Sequence, residues 1–122
     1  MLLTIPWKMK AARFLGRITT HLGFIGRFME ARDCASHAAL LWRLLVAENP
    51  DSHTPGLACQ LGSLGVQLSN LNQHTESLRA TEESITLYRS LVEKNPASYT
   101  PNLACQLGNL GPGLCHDRFP RI

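Results

Sequence analysis

The chain has 122 residues, 44% of them hydrophobic and 17% charged, with a formal charge of +3. That length holds one domain and not two ordinary ones, and that balance is that of a globular chain and not a disordered one. No apolar run approaches the roughly 20 residues of a membrane span, and the opening "MLLTIPWKMK" is no secretory signal, because its apolar stretch is too short and its charges follow it.

The first element is basic. Lys8, Lys10, Arg13, Arg17 and Arg27 precede the first acid, Glu30; after Arg27, seven basic residues face nine acidic ones. Such an opening has two readings: a mitochondrial presequence, or the first helix of the fold. Register favours the helix, since "AARFLGRITTHLGFIGRFMEA" (11–31) lies over 57–77, with Leu15 on Leu61, Gly16 on Gly62, Leu22 on Leu68 and Glu30 on Glu76. No patch combines dense Lys/Arg with interleaved aromatics, so a nucleic-acid partner is not expected.

The register continues through the chain. "NPDSHTPGLACQLGSLG" (49–65) returns as "NPASYTPNLACQLGNLG" (95–111), with 13 of 17 positions identical at an offset of 46. From Leu41 against Leu87 the identity is 17 of 25. A period in this range means stacked supersecondary units: unit one at 12–57, unit two at 58–103, and the start of a third at 104–122. Thr54-Pro55 and Thr100-Pro101 read as N-cap and first-turn proline. Leu57, Leu61, Leu64, Leu68 and Leu71 step by 4 and 3 along one helix face. "NLNQHTE" (70–76) is a turn. A second, longer helix follows from about Thr75 to Lys94, with Leu78, Thr81, Ile85, Tyr88 and Val92 in one stripe. Asn95-Pro96 ends it, because the residue before proline leaves the helical region. The expectation is an all-α chain of antiparallel helical hairpins, each burying its apolar face on the next.

Large apolar Leu61, Leu64-Gly65, then Leu68, Ser77 and Pro96 follow the signature spacing of the tetratricopeptide repeat, and the chain resembles that family over about 12–111. The period of 46 exceeds the family's usual length of about 34. It is similar to the long kinesin-light-chain-type variant found in fungal repeat arrays, and "EESITLYRSLVEKNP" is close to that style. The resemblance implies a short right-handed solenoid of about two and a half repeats whose concave face takes peptides. Carried over position by position, that face is Arg13, Arg17, Thr20 and Phe24 in unit one, Cys59, Ser63, Val66 and Asn70 in unit two, and Asn109 in unit three. Departures are visible. Ser77, Thr81 and Ser84 stand where the family has alanine or an aromatic. Thr19 replaces Gly65, which predicts looser packing in unit one. Pro112-Gly113 interrupts the third unit, and "CHDRFPRI" matches nothing in the repeat.

Candidate chemistry is thin. Cys115-His116 are neighbours that share no helix face, and no second Cys/His pair has zinc-ligand spacing. His21, His37, His53, His74 and His116 are scattered and read as solvated or capping. The glycines of "LGSLG" and "LGRITTHLG" lack the lysine and hydroxyl of a phosphate loop. Glu82-Glu83 lie on an outer face and suit solubility. Four cysteines, two of them (Cys59, Cys105) at one repeat position, read as buried thiols of a reducing compartment. No enzyme, cofactor or metal site is expected. Arg13 and Arg17, four apart, share a face and could hold a carboxylate or phosphate; the alternative is a solvated basic face. The expected partner is a protein or an acidic peptide, not a nucleic acid or a membrane. Leu103, Leu107 and Leu110 also suggest self-association through the open third unit. The expected compartment is the cytoplasm, with the mitochondrion as the alternative. The truncated third unit equally suits a fragment of a longer repeat array with no activity of its own.

Overall fold

The computed structural model describes residues 4–110, the side chains of 4–6 and 110 excepted. Their regular structure is all α-helical: α1 (Thr4–Phe24), α2 (Phe28–Glu48), α3 (Pro50–Asn70), α4 (His74–Lys94) and α5 (Pro96–Leu110). The first four are each 21 residues long, which corrects the expected short-then-long hairpin to one of equal arms. α1, α3 and α5 start at 4, 50 and 96, and α2 and α4 at 28 and 74, so every step is 46. Phased by helix starts, the units open eight residues before the frame 12–57, 58–103, 104–122 (4 against 12).

The earlier start of α3 and α5 has a local cause. Asn49 and Asn95 are the whole connection between one hairpin and the next, at φ −151°, ψ 88° and φ −150°, ψ 81°. Their side chains accept from the backbone N–H of Ser52 (3.4 Å) and Ser98 (3.3 Å). Pro50 and Pro96 then occupy the first helical position, where a missing N–H costs nothing. The asparagines are therefore the caps, and Thr54 and Thr100 are not. Thr54 is inside α3 and donates its hydroxyl to the Pro50 carbonyl at 2.7 Å. Pro55 follows it inside the helix. It deprives only the carbonyl of exposed Asp51 of a partner, which water can supply.

Within a hairpin the turn is three residues long and ends the first arm the same way twice. Arg27 N–H reaches the Leu22 carbonyl (2.8 Å) and Gln73 N–H the Leu68 carbonyl (2.9 Å). The left-handed residue this closure requires is Gly26 (φ 87°) in unit one and Asn72 (φ 64°) in unit two. Ion pairs between the open ends, Lys8–Glu48 (2.9 Å) and Lys94–Asp51 (3.2 Å), show both pairs to be antiparallel.

The seam between the two arms is where the units differ. In unit two, Ser77 and Ser84 on α4 donate to the carbonyls of Gly65 (2.8 Å) and Ala58 (2.7 Å) on α3. A Cβ on Gly65 would stand 2.6 Å from Thr81 Oγ1. The three residues that depart from the repeat signature therefore form this seam. At the matching positions unit one carries Ala31, Ala35 and Ala38, all fully buried. Thr19, opposite them in the repeat where unit two has Gly65, is also fully buried and bonds the Leu15 carbonyl at 2.8 Å. Bulk has moved from one arm to the other, and the looser packing expected of unit one is not found.

The core lies between successive helices. Ala12, Ala38, Ala39, Trp42, Leu45, Leu57 and Leu61 form the larger cluster, and Ala58, Tyr88 and Leu91 the second. Leu45 and Leu61, at 0% and 2% exposure, each contribute about 1.5–3 kcal/mol of burial. Of the stripe expected on α4, Thr81, Ile85 and Tyr88 are buried, Val92 is half-buried and Leu78 is exposed. Leu103 packs against the second cluster, whereas Leu107 is 37% exposed where its equivalent Leu61 is 2%. The Leu110 side chain, Pro112-Gly113 and Cys115-His116 lie outside the described residues.

Candidate functional site

Successive units meet through one repeated contact. The ring of Trp42, on α2, lies over Gly56 and pairs with His53 at 6.1 Å between centroids. One repeat later Tyr88 pairs with Tyr99 at 6.5 Å, and Asn102, at the position of Gly56, donates to the Tyr88 hydroxyl at 3.4 Å. The larger ring takes the glycine; the smaller one takes the amide. His53, read from the sequence as solvated or capping, is instead buried in this contact.

The first arms also touch, through a glutamine. Gln60 on α3 seats its side chain at Gly16 of α1, and Gln106 on α5 seats at Gly62 of α3. A side chain on either glycine would collide with the amide. Gln67 occupies the corresponding notch at Gly23. Gln60 and Gln67 are 5% and 6% exposed, and Gln60 Nε2 and Gln67 Oε1 find no hydrogen-bond partner among the described residues.

Above this contact α1 and α3 enclose an open groove of about 360 Å³. Arg13, Arg17 and Thr20 line it from α1, and Cys59, Gln60 and Ser63 from α3, over a floor that includes Ala12, Gly16, Trp42 and Gly56. The two arginines, four apart, stand on one side of it with no hydrogen bond or ion pair among the described residues. A neighbouring cavity of about 610 Å³ shares Arg13, Trp42 and Gly56 and extends past Met9, Ser52 and His53. Of the positions carried over from the repeat family, the groove gathers Arg13, Arg17, Thr20, Cys59 and Ser63. It does not include Phe24, which is 90% exposed, Val66, 41% exposed, or Asn70 at the end of α3. Asn109, on α5, is exposed and donates to Gln106 at 3.4 Å. The residue that sequence reasoning missed is Gln60. Its recurrence as Gln106 inside an otherwise apolar stretch was the available signal.

The thiols are placed differently from expectation. Cys59 and Cys105 are exposed and Cys34 is half-buried, because the cysteine position faces the open side of the first arm and not its partner helix. Cys59 and Cys105 both lie close to the Tyr88 hydroxyl. Burial raises that phenol's pKa, Asn102 opposes the rise, and the two thiols add to it. Cys34 is raised by burial and then by the carboxylates of Asp33 and Glu30.

On the other side, α2 and α4 border a groove of about 580 Å³ floored by Leu61, Leu64 and Leu68. Its rim charges largely hold one another. Arg43 makes a two-pronged contact with Glu83 at 2.6 and 2.9 Å, and Arg32 pairs with Asp33 at 3.1 Å. Those cations are less available to a ligand than Arg13 and Arg17.

Among the described residues no cluster of three or more His, Cys, Asp or Glu could hold a metal, and no helix is long and apolar enough to cross a membrane. Comparison of the chain with protein-family models, curated proteins and solved structures finds no match.

Proposed function

We propose that the chain is a protein-interaction module, a short tetratricopeptide-like solenoid that binds an acceptor-rich, acidic peptide segment in the groove between α1 and α3. The observation that carries this reading is the pair of guanidiniums of Arg13 and Arg17, exposed, four apart on one wall of the groove and without a hydrogen bond or ion pair among the described residues. They supply charge-assisted bonds to the carboxylates of an acidic segment laid in the groove.

The test is selection of peptides from a displayed library on the full-length chain, followed by calorimetry with the selected sequence. Selected peptides are expected to be enriched in Asp and Glu. Arg13→Ala with Arg17→Ala is expected to weaken binding by about tenfold or more, the worth of one to two hydrogen bonds to charged groups. Unchanged affinity in this double variant removes the groove as the binding site.

A further inference from the structure

A second surface adjoins the groove and shares Arg17 with it. Trp7, Lys10, Phe14, Arg17, His21 and Phe24 step by 3 and 4 along α1, and every one of them is exposed. Trp7, Phe14 and Phe24 are 54%, 60% and 90% exposed. The helix carries no acid: the first carboxylate in the chain is Glu30. The opposite face of α1 is occupied, with Ala12 and Thr19 fully buried against the rest of the fold. The stripe is therefore a fixed outer surface and not a helix waiting to dock on its own core.

Apolar exposure is concentrated in this hairpin. Among the described residues seven large apolar side chains are exposed between Trp7 and Leu44, against two, Val66 and Leu78, in α3 and α4. At six of the seven positions unit two has a polar residue instead: His53, Gln60, Asn70, Thr75, Thr86 and Ser90.

The same comparison says what the stripe is not. Where one hairpin receives the next, a glutamine seats at a glycine, as Gln60 at Gly16 and Gln106 at Gly62, and Gly56 admits the Trp42 ring. On α1 the glutamine position is Phe14 and the Gly56 position is Lys10. The face has lost the features by which this repeat stacks, so a second copy stacked head to tail is not its occupant. Nor does either groove described above include Trp7, Phe14 or Phe24. A stripe of aromatics interleaved with cations, on a helix that carries no acid, fits a deformable anionic interface. There the rings enter the acyl boundary and the cations meet headgroups.

We infer that the outer face of α1 binds the surface of an anionic lipid bilayer, with Trp7 and Phe14 inserted and Lys10 and Arg17 at the headgroups. The lack of a spanning helix bears on crossing a bilayer and not on lying against one. Phe24 and the neighbouring Ile25 and Met29, 52% and 61% exposed, extend the apolar edge past the end of the helix.

The experiment is co-sedimentation of the full-length chain with vesicles of phosphatidylcholine alone and of an equimolar mixture with phosphatidylserine. Tryptophan emission is recorded in parallel. Trp42 is buried, so a blue shift on binding reports Trp7. The expected result is binding at least about tenfold tighter to the anionic vesicles and weakened by salt. Trp7→Ala with Phe14→Ala abolishes the binding, and Lys10→Glu weakens it about thirty-fold, two elementary charges at roughly fivefold each. These side chains are exposed, so far-ultraviolet circular dichroism of the variants is expected to match the parent. Equal binding to neutral vesicles, or none to either kind, overturns the inference. So does a dimer that the Trp7/Phe14 variant dissociates while vesicle binding is untouched, which makes the face a protein contact. Retention of a single-stranded oligonucleotide through these residues in place of vesicles has the same consequence.

Discussion

The exchange of bulk across the hairpin seam makes a prediction whose sign can be checked. A methyl group on Gly65 would lie 2.6 Å from Thr81 Oγ1, while the next nearest atoms, the Ser77 carbonyl oxygen and Thr81 N, are at 3.4 and 3.6 Å, ordinary contact distances. The collision in Gly65→Ala is thus with one side-chain atom. Thr81 is 3% exposed and branched at Cβ, so it has little room to turn away. Overpacking of this kind costs about 1–3 kcal/mol, and replacing a mid-helix glycine by alanine returns about 1 kcal/mol. Gly65→Ala is therefore expected to be neutral to destabilising by about 2 kcal/mol in the parent. In a Thr81→Ala background the obstacle is gone, and the same substitution is expected to stabilise by about 1 kcal/mol. In the double variant Thr81→Ala places an alanine between Ser77 and Ser84, as Ala35 stands between Ala31 and Ala38 in unit one.

The assay is urea unfolding of the four proteins of the cycle, followed by circular dichroism, with the slope of the transition checked for constancy. The coupling energy is expected to be about 1–3 kcal/mol in favour of the double variant, the range seen for residues in direct contact. If Gly65→Ala has the same effect in both backgrounds, the two residues do not compete for one space, and the account of the seam as two solutions to one packing problem fails.

Three further outcomes are expected. Ser84→Ala removes a fully buried bond to the Ala58 carbonyl; because that carbonyl keeps its helical partner, the loss in urea unfolding is expected to be only about 1 kcal/mol. Arg43 holds the Glu83 carboxyl below its ordinary value, chiefly by its hydrogen bonds and against some desolvation. A depressed folded-state pKa stabilises above the ordinary glutamate range, and that stabilisation is lost as pH falls through the lowered value. The stability difference between parent and Glu83→Gln is thus expected to be full near neutrality and to vanish in acid. With side chains 46% and 39% exposed it stays under about 1 kcal/mol. Maleimide labelling mapped by mass spectrometry is expected to modify Cys59 and Cys105 of the native chain faster than Cys34, whose thiol is half-buried and raised in pKa. A peptide bound in the groove is expected to slow Cys59, and Cys34 labelled as fast as Cys59 refutes the placement.

Helix number, the hairpin pattern and the 46-residue step were legible because apolar spacing and the copied Asn-Pro stretches encode them locally. Helix starts were not. Two proline signals, Asn49-Pro50 and Thr54-Pro55, lie five residues apart, and only geometry shows that the first caps α3 while the second sits inside it. The cysteines misled for a related reason. "LACQLG" looks uniformly apolar, but on the folded helix Ala58 faces the second cluster and Cys59 the open side. Five of the nine carried-over positions converge on one groove because equivalent positions of α1 and α3 stand side by side. Phe24, Val66 and Asn70 fall outside it, since the groove lies over the middle of α1 and of α3, and Asn109 falls outside because it is on α5. Gln60 was legible only as a polar residue that recurs, as Gln106, in an apolar stretch: its burial depends on Gly16, 44 residues earlier, and nothing local marks the notch that receives it.

The two copies of the hairpin contact amount to a comparison made within one chain. Where the second ring shrinks from Trp42 to Tyr88, Gly56 becomes Asn102 and the amide reaches the hydroxyl. Where Glu48 becomes Lys94, its partner changes from Lys8 to Asp51. Where Thr19 becomes Gly65, the small residue Ala35 becomes Thr81. Each change is answered at the contacting position, as expected where interfaces between repeats carry much of the stability. The outer face of α1 is the exception. Its substitutions, Phe14 for glutamine and Lys10 for glycine, are answered by nothing else in the described chain. Side chains that are both large and uncompensated are retained where something outside the chain compensates them, and the acid-free, aromatic character of this ridge is the reason to look for that something at an anionic bilayer.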